Sequence, residues 1–160
     1  MFALYTPISK FSNLEFILRP EILNWGVITM IRAILVEDDS EFRQCVKKVF
    51  SSRYPSIQLM EAGDEMEAMS KIDLLPPDLI FMDIQLPGKN GLELTRMIRT
   101  RNPNAIIVIL SNHDLTEYRE TAYRNGANYY ISKDSPVGDL FSLVERIIGL
   151  TEGIVEEVSL

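Results

Sequence analysis

From residue 30 onward, the chain alternates short apolar runs with longer amphipathic segments, which is the pattern of a parallel sheet wrapped by helices. The first, third and fourth apolar runs are hydrophobic at nearly every position, as expected of strands covered on both faces. The second run alternates between apolar and polar residues and therefore predicts an edge strand. The five predicted strands span residues 33–36, 57–60, 79–82, 105–110 and 129–131.

Five helices are predicted between and after these strands, from apolar residues at helical spacing. Asp39 or Ser40 is the expected N-cap of the first helix, and Asn125-Gly126 is the expected C-cap of the fourth, which is predicted over residues 114–124. The second helix must end before Pro76-Pro77, because proline lacks an amide donor. The predicted core-facing residues are Phe42, Cys45, Val46, Val49 and Phe50 in the first helix, Met66, Met69 and Ile72 in the second, Leu94, Met97 and Ile98 in the third, Leu115, Tyr118 and Ala122 in the fourth, and Leu140, Phe141, Val144, Ile147 and Ile148 in the fifth.

The alternation of strands and helices also predicts the architecture. Parallel strands need right-handed crossovers, so five strand–helix units predict an α/β fold with an open, doubly wound sheet of five parallel strands. Such sheets place their functional sites at the carboxyl ends of the strands, near the point where the strand order reverses. The residues that follow each predicted strand are therefore the candidates for chemistry.

Composition and charge narrow the class of protein. The 160 residues are 46% hydrophobic and 24% charged, which predicts one globular domain and excludes a disordered chain. Twenty-three acidic against sixteen basic residues give a net charge of −7, which disfavours direct binding to nucleic acid. A single cysteine, Cys45, excludes a disulfide framework and favours a reducing, cytoplasmic setting. No apolar stretch reaches the roughly 20 residues needed to span a bilayer, so no membrane segment is expected.

Carboxylates follow two of the predicted strands. Glu37-Asp38-Asp39 comes after the first strand, and Asp83 comes after the third. The ends of these strands meet at one sheet edge, where repulsion between up to four carboxylates favours a bound divalent cation, and oxygen ligands suit Mg²⁺. Helix capping explains Asp39 in part, but it does not explain Asp83, because Pro87-Gly88 follows and the next helix begins at about Gly91.

The fourth and fifth strands also end in polar residues. Ser111 ends the fourth and Lys133 follows the fifth. A hydroxyl and an ammonium beside a carboxylate cluster are suited to bind phosphoryl oxygens. Taken alone, a serine at a strand end is more often an N-cap and a lysine is more often solvated. Their joint placement beside the carboxylates predicts a phosphoryl site.

Four segments, in order, resemble the receiver domain of two-component response regulators. They are Ile34–Asp39, Asp78–Gly91, Val108–Ser111 and Gly126–Lys133. The intervals also agree with the family, at 45 residues from Asp38 to Asp83, 28 from there to Ser111 and 22 more to Lys133. The resemblance implies a flavodoxin-like fold with strand order 2-1-3-4-5. The receiver domain is predicted over residues 30–150, with an N-terminal extension over 1–29 and a short tail over 151–160.

The resemblance assigns a phosphoacceptor and a metal site. Asp83 is implied to accept the phosphoryl group from a phosphohistidine on a histidine kinase or a phosphotransfer protein. Glu37, Asp38, Asp83 and the backbone carbonyl of Gln85 are implied to hold Mg²⁺. On this interpretation the chain is not an enzyme with an external substrate, because it catalyses only its own phosphorylation and dephosphorylation.

The resemblance also assigns a switch. Ser111 and Lys133 are implied to bind the phosphoryl oxygens, and Tyr130 occupies the aromatic position that turns inward on activation. Gln85 and His113 stand at positions that tune loss of the phosphoryl group in the family. The face made by the fourth helix, the fifth strand and the fifth helix is the expected output surface, for a downstream protein or a phosphorylation-dependent homodimer.

Some features depart from the family pattern and keep alternatives open. Lys133 is followed by Asp134 where many receivers have proline, a form most like receivers that usually carry a helix-turn-helix output domain. The first alternative is therefore the receiver part of a transcription regulator whose DNA-binding domain is absent from this chain. The second is a Mg²⁺-dependent aspartyl-phosphate phosphohydrolase, which needs an acidic residue where Gln85 stands. The third is a flavin-binding domain, although an acidic pocket repels a flavin phosphate.

Residues 1–29 match nothing in the family. They contain two basic and two acidic residues, so the net charge of −7 belongs to residues 30–160. One hypothesis is that Met30 is the natural start of the protein, and the alternative is an arm that packs Trp25 on the domain. The intact mass of protein made from the native gene distinguishes these two possibilities.

Overall fold

The computed structural model describes residues 30–135 and 137–157. In this part of the chain, one parallel sheet has the order β2-β1-β3-β4-β5, where the strands are β1 (Ile31–Val36), β2 (Ile57–Ala62), β3 (Leu79–Asp83), β4 (Ile106–Ser111) and β5 (Tyr129–Ser132). The helices are α1 (Ser40–Arg53), α2 (Glu65–Leu74), α3 (Gly91–Arg101), α4 (Thr116–Arg124) and α5 (Val137–Glu157). The predicted fold class and strand order are confirmed, with β2 at an edge.

Two hydrophobic cores lie on opposite faces of the sheet. On one face, the strands pack against α1 and α5 through Phe50 and Val144. On the other face, they pack against α2, α3 and α4 through Ile72, Ile98 and Ala122. Because the central strand β3 is covered on both faces, every one of its residues is buried, as the uninterrupted apolar run predicts.

Side-chain caps fix the start of three helices next to the strand ends. Asp39 caps α1 by accepting hydrogen bonds from the amides of Glu41 and Phe42 at 2.8 and 3.1 Å. Asp64 caps α2, and Asn90 caps α3 by accepting from the amide of Leu92 at 2.8 Å. Each cap sets where its helix begins relative to the carboxyl edge of the sheet, and therefore helps to position the loops that form the site.

The predicted end of α4 is confirmed, but its start is not. Asn125 is the C-cap of α4, and Gly126 adopts a φ of 100°, which only glycine accepts readily. The helix begins at Thr116 rather than near residue 114, so Leu115 precedes it and is 56% exposed. The prediction that Leu115 faces the core is therefore wrong.

Two other predicted core residues are exposed, and two more, Val49 and Met97, are half-buried and belong to neither core. Met66 is 83% exposed, because α2 turns Ala68 and Ile72 toward the sheet instead. Cys45 is exposed, because Val46 and Phe50 form the buried stripe of α1. Both errors have one physical cause, since helical spacing alone leaves the edge of an apolar face undefined by about one residue.

Helix α5 is longer than predicted. It continues to Glu157 and so extends into the segment 151–160 that was expected to be a tail. No proline stands in this stretch, and a glycine inside a helix costs only about 1 kcal/mol. The predicted extension 1–29, with Trp25, lies outside the described residues, as do 158–160. Across the described ranges, no helix is both long and apolar enough to cross a membrane.

Candidate functional site

Three carboxylates meet where β1 and β3 end. These strands are paired, with Val36 opposite Met82, so the residues that follow them are neighbours at the carboxyl edge of the sheet. Oxygen atoms of Glu37, Asp38 and Asp83, one from each, lie within 4.8 Å of one another. Glu37 is 1% exposed and Asp83 is 5% exposed, whereas Asp38 is exposed to solvent. Such a cluster of oxygen ligands suits a hard divalent cation.

Lys133 holds the two buried carboxylates. Its Nζ donates to Oε2 of Glu37 at 2.6 Å and lies 3.2 Å from Oδ2 of Asp83. Strand β5, which precedes Lys133, is not adjacent to β1 or β3. The Lys133 amide donates to the Ser111 carbonyl at 2.7 Å and so anchors the end of β5 to the end of β4. The ammonium also lies 5.0 Å from the centre of the Phe42 ring, which contributes a cation–π contact.

The charge balance of the cluster is uneven. Burial raises the pKa of Glu37, and the nearby Asp83 charge raises it further, whereas the hydrogen bond from Lys133 lowers it. The net direction is upward, so the Lys133 ammonium does not fully offset the cost of burying Glu37. A bound divalent cation would relieve this repulsion.

Ser111 lies on the far side of the site from Glu37. It ends β4, is 1% exposed, and its Oγ accepts a hydrogen bond from the His113 amide at 3.0 Å. The Ser111 side chain also hydrogen-bonds the Tyr130 hydroxyl, so it links the end of β4 directly to this tyrosine. Ser111 and Asp83 end adjacent strands, because Asp83 pairs with Leu110 in the sheet.

Tyr130 is in a buried position beside Ser111. Its ring is part of the core, it is 6% exposed, and its hydroxyl donates to the His113 carbonyl. Burial raises the pKa of the Tyr130 hydroxyl. The guanidinium of Arg119, from α4, lies 4.7 Å from the ring centre. This tyrosine therefore connects the loop after β4 with helix α4.

Gln85 and His113 meet across the mouth of the site. Nε2 of Gln85 and Nε2 of His113 are 2.9 Å apart, and the imidazole stacks on Tyr118 with ring centres 5.5 Å apart. The sequence placed both residues near the acidic cluster but did not indicate a direct contact between them. The contact arises because the two loops lie side by side in the folded sheet.

Three other residues contact the site and were not recognised from the sequence as part of it. Phe42 was predicted only as a core residue, Gly91 only as the start of a helix, and Arg43 was not singled out. Arg43 donates to the carbonyls of Glu37 and Asp38, and a Cβ on Gly91 would lie 1.8 Å from the Asp83 carbonyl oxygen. Their position in the sequence could have indicated that they belong to the site, because all three lie within the first turn of a helix that follows a strand with an acidic end.

Comparison with known proteins identifies the family. The sequence profile described as the response regulator receiver domain matches residues 33–145, so the chain belongs to this family. The transcriptional regulatory protein DegU of Brevibacillus brevis is 30% identical over 124 residues, which cover 77% of this chain and 51% of DegU. The chain therefore spans about half of the length of this relative.

Solved structures agree with this assignment. A two-component response regulator of the LuxR family from an Aurantimonas species matches with a TM-score of 0.69 and 31% identity, covering 75% of this chain and 86% of that one. The response regulator protein TrrA from Thermotoga maritima, solved in complex with Mg²⁺ and BeF, matches with a TM-score of 0.65 and 26% identity, covering 73% of this chain and 98% of that one. The fold is therefore that of a two-component receiver domain.

Proposed function

We propose that this chain accepts a phosphoryl group on Asp83, from a histidine kinase or a phosphotransfer protein, in a Mg²⁺-dependent reaction, and signals through a change of its surface. The observation that carries this proposal is the contact of Asp83 with Lys133 inside a cluster with Glu37 and Asp38. Receivers of this family act on their own aspartate, so we propose no external substrate. We also propose a cytoplasmic setting.

The transfer step uses the Asp83 carboxylate as nucleophile. One of its oxygens bonds to phosphorus while the bond from phosphorus to the donor imidazole nitrogen breaks, and the histidine leaves unphosphorylated. Asp83 is suited to this role because it is held at the end of a fully buried strand and is paired with Lys133. Such fixed positioning contributes much of the catalysis in phosphoryl transfer.

Glu37, Asp38 and Asp83 fit a magnesium ion by the chemistry of their oxygen ligands and by the repulsion that they leave unrelieved. We propose that these three side chains hold Mg²⁺ together with the backbone carbonyl of Gln85. When bound there, Mg²⁺ would offset the negative charge of the phosphoryl group during transfer.

Lys133 and Ser111 are proposed to bind the transferred group. The ammonium is 3.2 Å from Oδ2 of Asp83, so it lies within reach of an oxygen attached through that carboxylate. Ser111 carries a hydroxyl at the neighbouring strand end, and we propose that this hydroxyl exchanges its contact with Tyr130 for a phosphoryl oxygen. Adding about −1.5 to −2 charges beside these donors favours the arrangement in which both of them converge on the phosphoryl oxygens. Movement at Ser111 would then reach Tyr130 and α4.

Gln85 and His113 are proposed to tune the lifetime of the phosphoryl group. Their side chains contact each other at 2.9 Å between the loops that follow β3 and β4, and we propose that this contact restricts the approach of water to Asp83. We expect His113→Ala to shorten the lifetime of phosphorylated protein several-fold, because it removes both this contact and the stacking on Tyr118. Intact mass measured over time after removal of the phosphodonor gives the lifetime. An unchanged lifetime in both His113→Ala and Gln85→Ala would contradict the proposal.

The central test is intact-protein mass after incubation with acetyl phosphate and Mg²⁺. We expect one phosphoryl adduct on the wild-type protein, none on Asp83→Asn and none when a chelator removes the metal. Lys89→Gln is a matched surface control, because its ion pair with Glu65 lies outside the cluster, and it should label like the wild type. An adduct that persists in Asp83→Asn would overturn the assignment of the phosphoacceptor.

A second candidate is the receiver part of a transcription regulator. It is favoured by the match to DegU, a transcriptional regulatory protein, and by the LuxR-family structure. The acidic net charge of −7 argues against DNA binding by this chain itself. Intact mass of the protein purified from its native source separates the two candidates, because a regulator of this kind carries an additional DNA-binding domain. If a protein binds the phosphorylated chain but does not bind the unphosphorylated chain, the first candidate is favoured.

A further inference from the structure

Arg43 connects helix α1 to the loop that carries two of the three carboxylates. Its Nη1 donates to the Glu37 carbonyl at 2.5 Å and to the Asp38 carbonyl at 3.0 Å. One terminal nitrogen of a guanidinium carries two hydrogens, so it can hold two successive carbonyls at once. The backbone of Arg43 is fixed, because its amide donates to the Asp39 carbonyl at 3.0 Å and closes the first turn of the capped helix.

Asp38 is the carboxylate that most needs such support. Glu37 accepts from Lys133 at 2.6 Å and from the Asp39 amide at 3.3 Å, and Asp83 is paired with Lys133. Among the residues that the structure describes, no group donates to the Asp38 carboxylate, which is exposed. Its orientation therefore depends on the peptide backbone beneath it, and Arg43 is the side chain that holds this backbone.

We propose that Arg43 is a positioning residue for the divalent-cation site. By fixing the carbonyls of Glu37 and Asp38, it holds both carboxylates toward Asp83 before the cation binds. This inference rests on the proposed function, because it assumes that the cluster takes Mg²⁺. Groups that orient metal ligands commonly change metal affinity by about 10–100-fold when they are removed.

The positive charge of Arg43 acts in the opposite direction. A cation close to a cation site weakens binding through repulsion. If charge alone mattered, removing Arg43 would strengthen Mg²⁺ binding and replacing it by lysine would leave binding unchanged. If positioning dominates, both replacements weaken binding, because methionine has no donor and the lysine ammonium lies one bond short of the Nη1 position that contacts both carbonyls.

The test is calorimetric titration of the unphosphorylated protein with Mg²⁺, in the wild type, Arg43→Met and Arg43→Lys. We expect both variants to bind Mg²⁺ about tenfold more weakly. Lys48→Met is the matched control, because it removes a positive charge from an exposed position of the same helix, and its affinity should stay at the wild-type value. Thermal unfolding checks that each variant is folded. If Arg43→Met does not fold, the Mg²⁺ affinity of Arg43→Lys decides the question.

A second measurement separates positioning from a general loss of structure. We expect the Mg²⁺ concentration that gives half-maximal labelling by acetyl phosphate to rise about tenfold in both Arg43 variants, while the rate at saturating Mg²⁺ stays close to that of the wild type. A fall of the saturating rate with an unchanged Mg²⁺ requirement would overturn the inference.

The outcomes also distinguish this inference from the proposed function. Wild-type protein that neither binds Mg²⁺ nor requires it for labelling would overturn the metal site and the role of Arg43 together. If the wild-type protein binds Mg²⁺ and is labelled, but the Arg43 variants bind Mg²⁺ equally or more tightly, only the role of Arg43 is overturned.

Discussion

At the scale of single residues, Gly91 sets the distance between helix α3 and the proposed phosphoacceptor. A Cβ at this position would lie 1.8 Å from the carbonyl oxygen of Asp83, far inside any real contact. The amide of Gly91 also donates to the Ile84 carbonyl at 2.9 Å, so the helix start is tied to the backbone just after β3. Only glycine permits this approach, because any side chain would push the backbone that carries Asp83 away from α3.

We therefore expect Gly91→Ala to lower the free energy of unfolding by about 1–3 kcal/mol, because the new methyl group collides with backbone rather than with a flexible side chain. Urea unfolding measures this change. Gly149→Ala is the control, since nothing lies within 4 Å of a Cβ at that position of α5. It should be neutral or stabilising by up to about 1 kcal/mol. Equal stability of Gly91→Ala and wild type would contradict the argument.

Glu37 shows how the site influences stability as the pH changes. Burial raises its pKa above the ordinary value of 4.5, and the nearby Asp83 charge adds to the effect. A carboxyl whose pKa is higher in the folded than in the unfolded chain contributes stability below its unfolded pKa and loses that contribution as the pH rises through its folded pKa. Ionised Glu37 therefore costs stability at neutral pH when no cation is bound.

The resulting prediction concerns Glu37→Gln in the presence of a chelator. We expect its Tm to exceed that of the wild type by a few degrees in neutral buffer, and the difference to shrink in mildly acidic buffer, because the raised pKa of wild-type Glu37 lets it take up its proton earlier than an ordinary glutamate. Thermal unfolding at both pH values measures it. Added Mg²⁺ should stabilise the wild type more than the variant. A variant that is less stable than the wild type at the higher pH would disprove the prediction.

At the scale of elements, Arg99 joins α3 to two loops at the edge of the sheet opposite the site. Its guanidinium donates to the Gly126 carbonyl at 2.7 Å, to the Pro103 carbonyl at 2.6 Å and to the Ala105 carbonyl at 2.8 Å. It also donates to Oδ1 of Asn128 at 2.7 Å. One side chain thus fixes α3 against the start of β4 and the connection from α4 to β5.

We expect Arg99→Met to destabilise the domain by about 2–3 kcal/mol, because partly buried carbonyls lose their donor. Arg101→Met is the matched control on the same helix, since Arg101 forms an exposed ion pair with Asp73 at 3.0 Å. Its cost should stay below about 1 kcal/mol. Chemical unfolding of both variants gives the comparison, and equal losses would show that Arg99 is no more than a surface residue.

At the scale of the whole molecule, a chain of contacts leads from the site to α4. Ser111 Oγ accepts from the His113 amide, Tyr130 donates to the His113 carbonyl, and Arg119 of α4 covers the Tyr130 ring. These residues lie at the end of β4, on the loop after it, on β5 and on α4. A displacement of this loop therefore changes the α4–β5 side of the domain. Among the described residues, those of the other helices do not share these contacts.

We expect Mg²⁺ and beryllofluoride to change amide hydrogen exchange in α4 (Thr116–Arg124) and β5 several-fold more than in α2 (Glu65–Leu74). Mass spectrometry of peptides after exchange measures the change by segment. Asp83→Asn serves as the control and should show no response. A uniform change of hydrogen exchange over all helices would refute this path of communication. So would unchanged exchange in a protein that acetyl phosphate does label.

Much of the fold could be predicted from the sequence because local patterns and chain connectivity agree. The buried run Leu79–Asp83 and the alternating run Ile57–Ala62 distinguish a central from an edge strand by hydrophobicity alone. The orientation of α2 and α4 was less predictable, since Met66 and Leu115 are apolar but exposed. Their exposure depends on where each helix begins against the sheet, which the local spacing does not specify.

The sequence by itself determined which polar groups end each strand, because parallel strands bring their carboxyl ends to one edge whatever the details of packing. Only the tertiary structure decided which group contacts which. Lys133 bridges Glu37 and Asp83, Arg43 holds the carbonyls of Glu37 and Asp38, and Gln85 meets His113. The physical reason is range, since hydrogen bonds and ion pairs act over about 3–4 Å and depend on side-chain directions that are set when helices pack on the sheet.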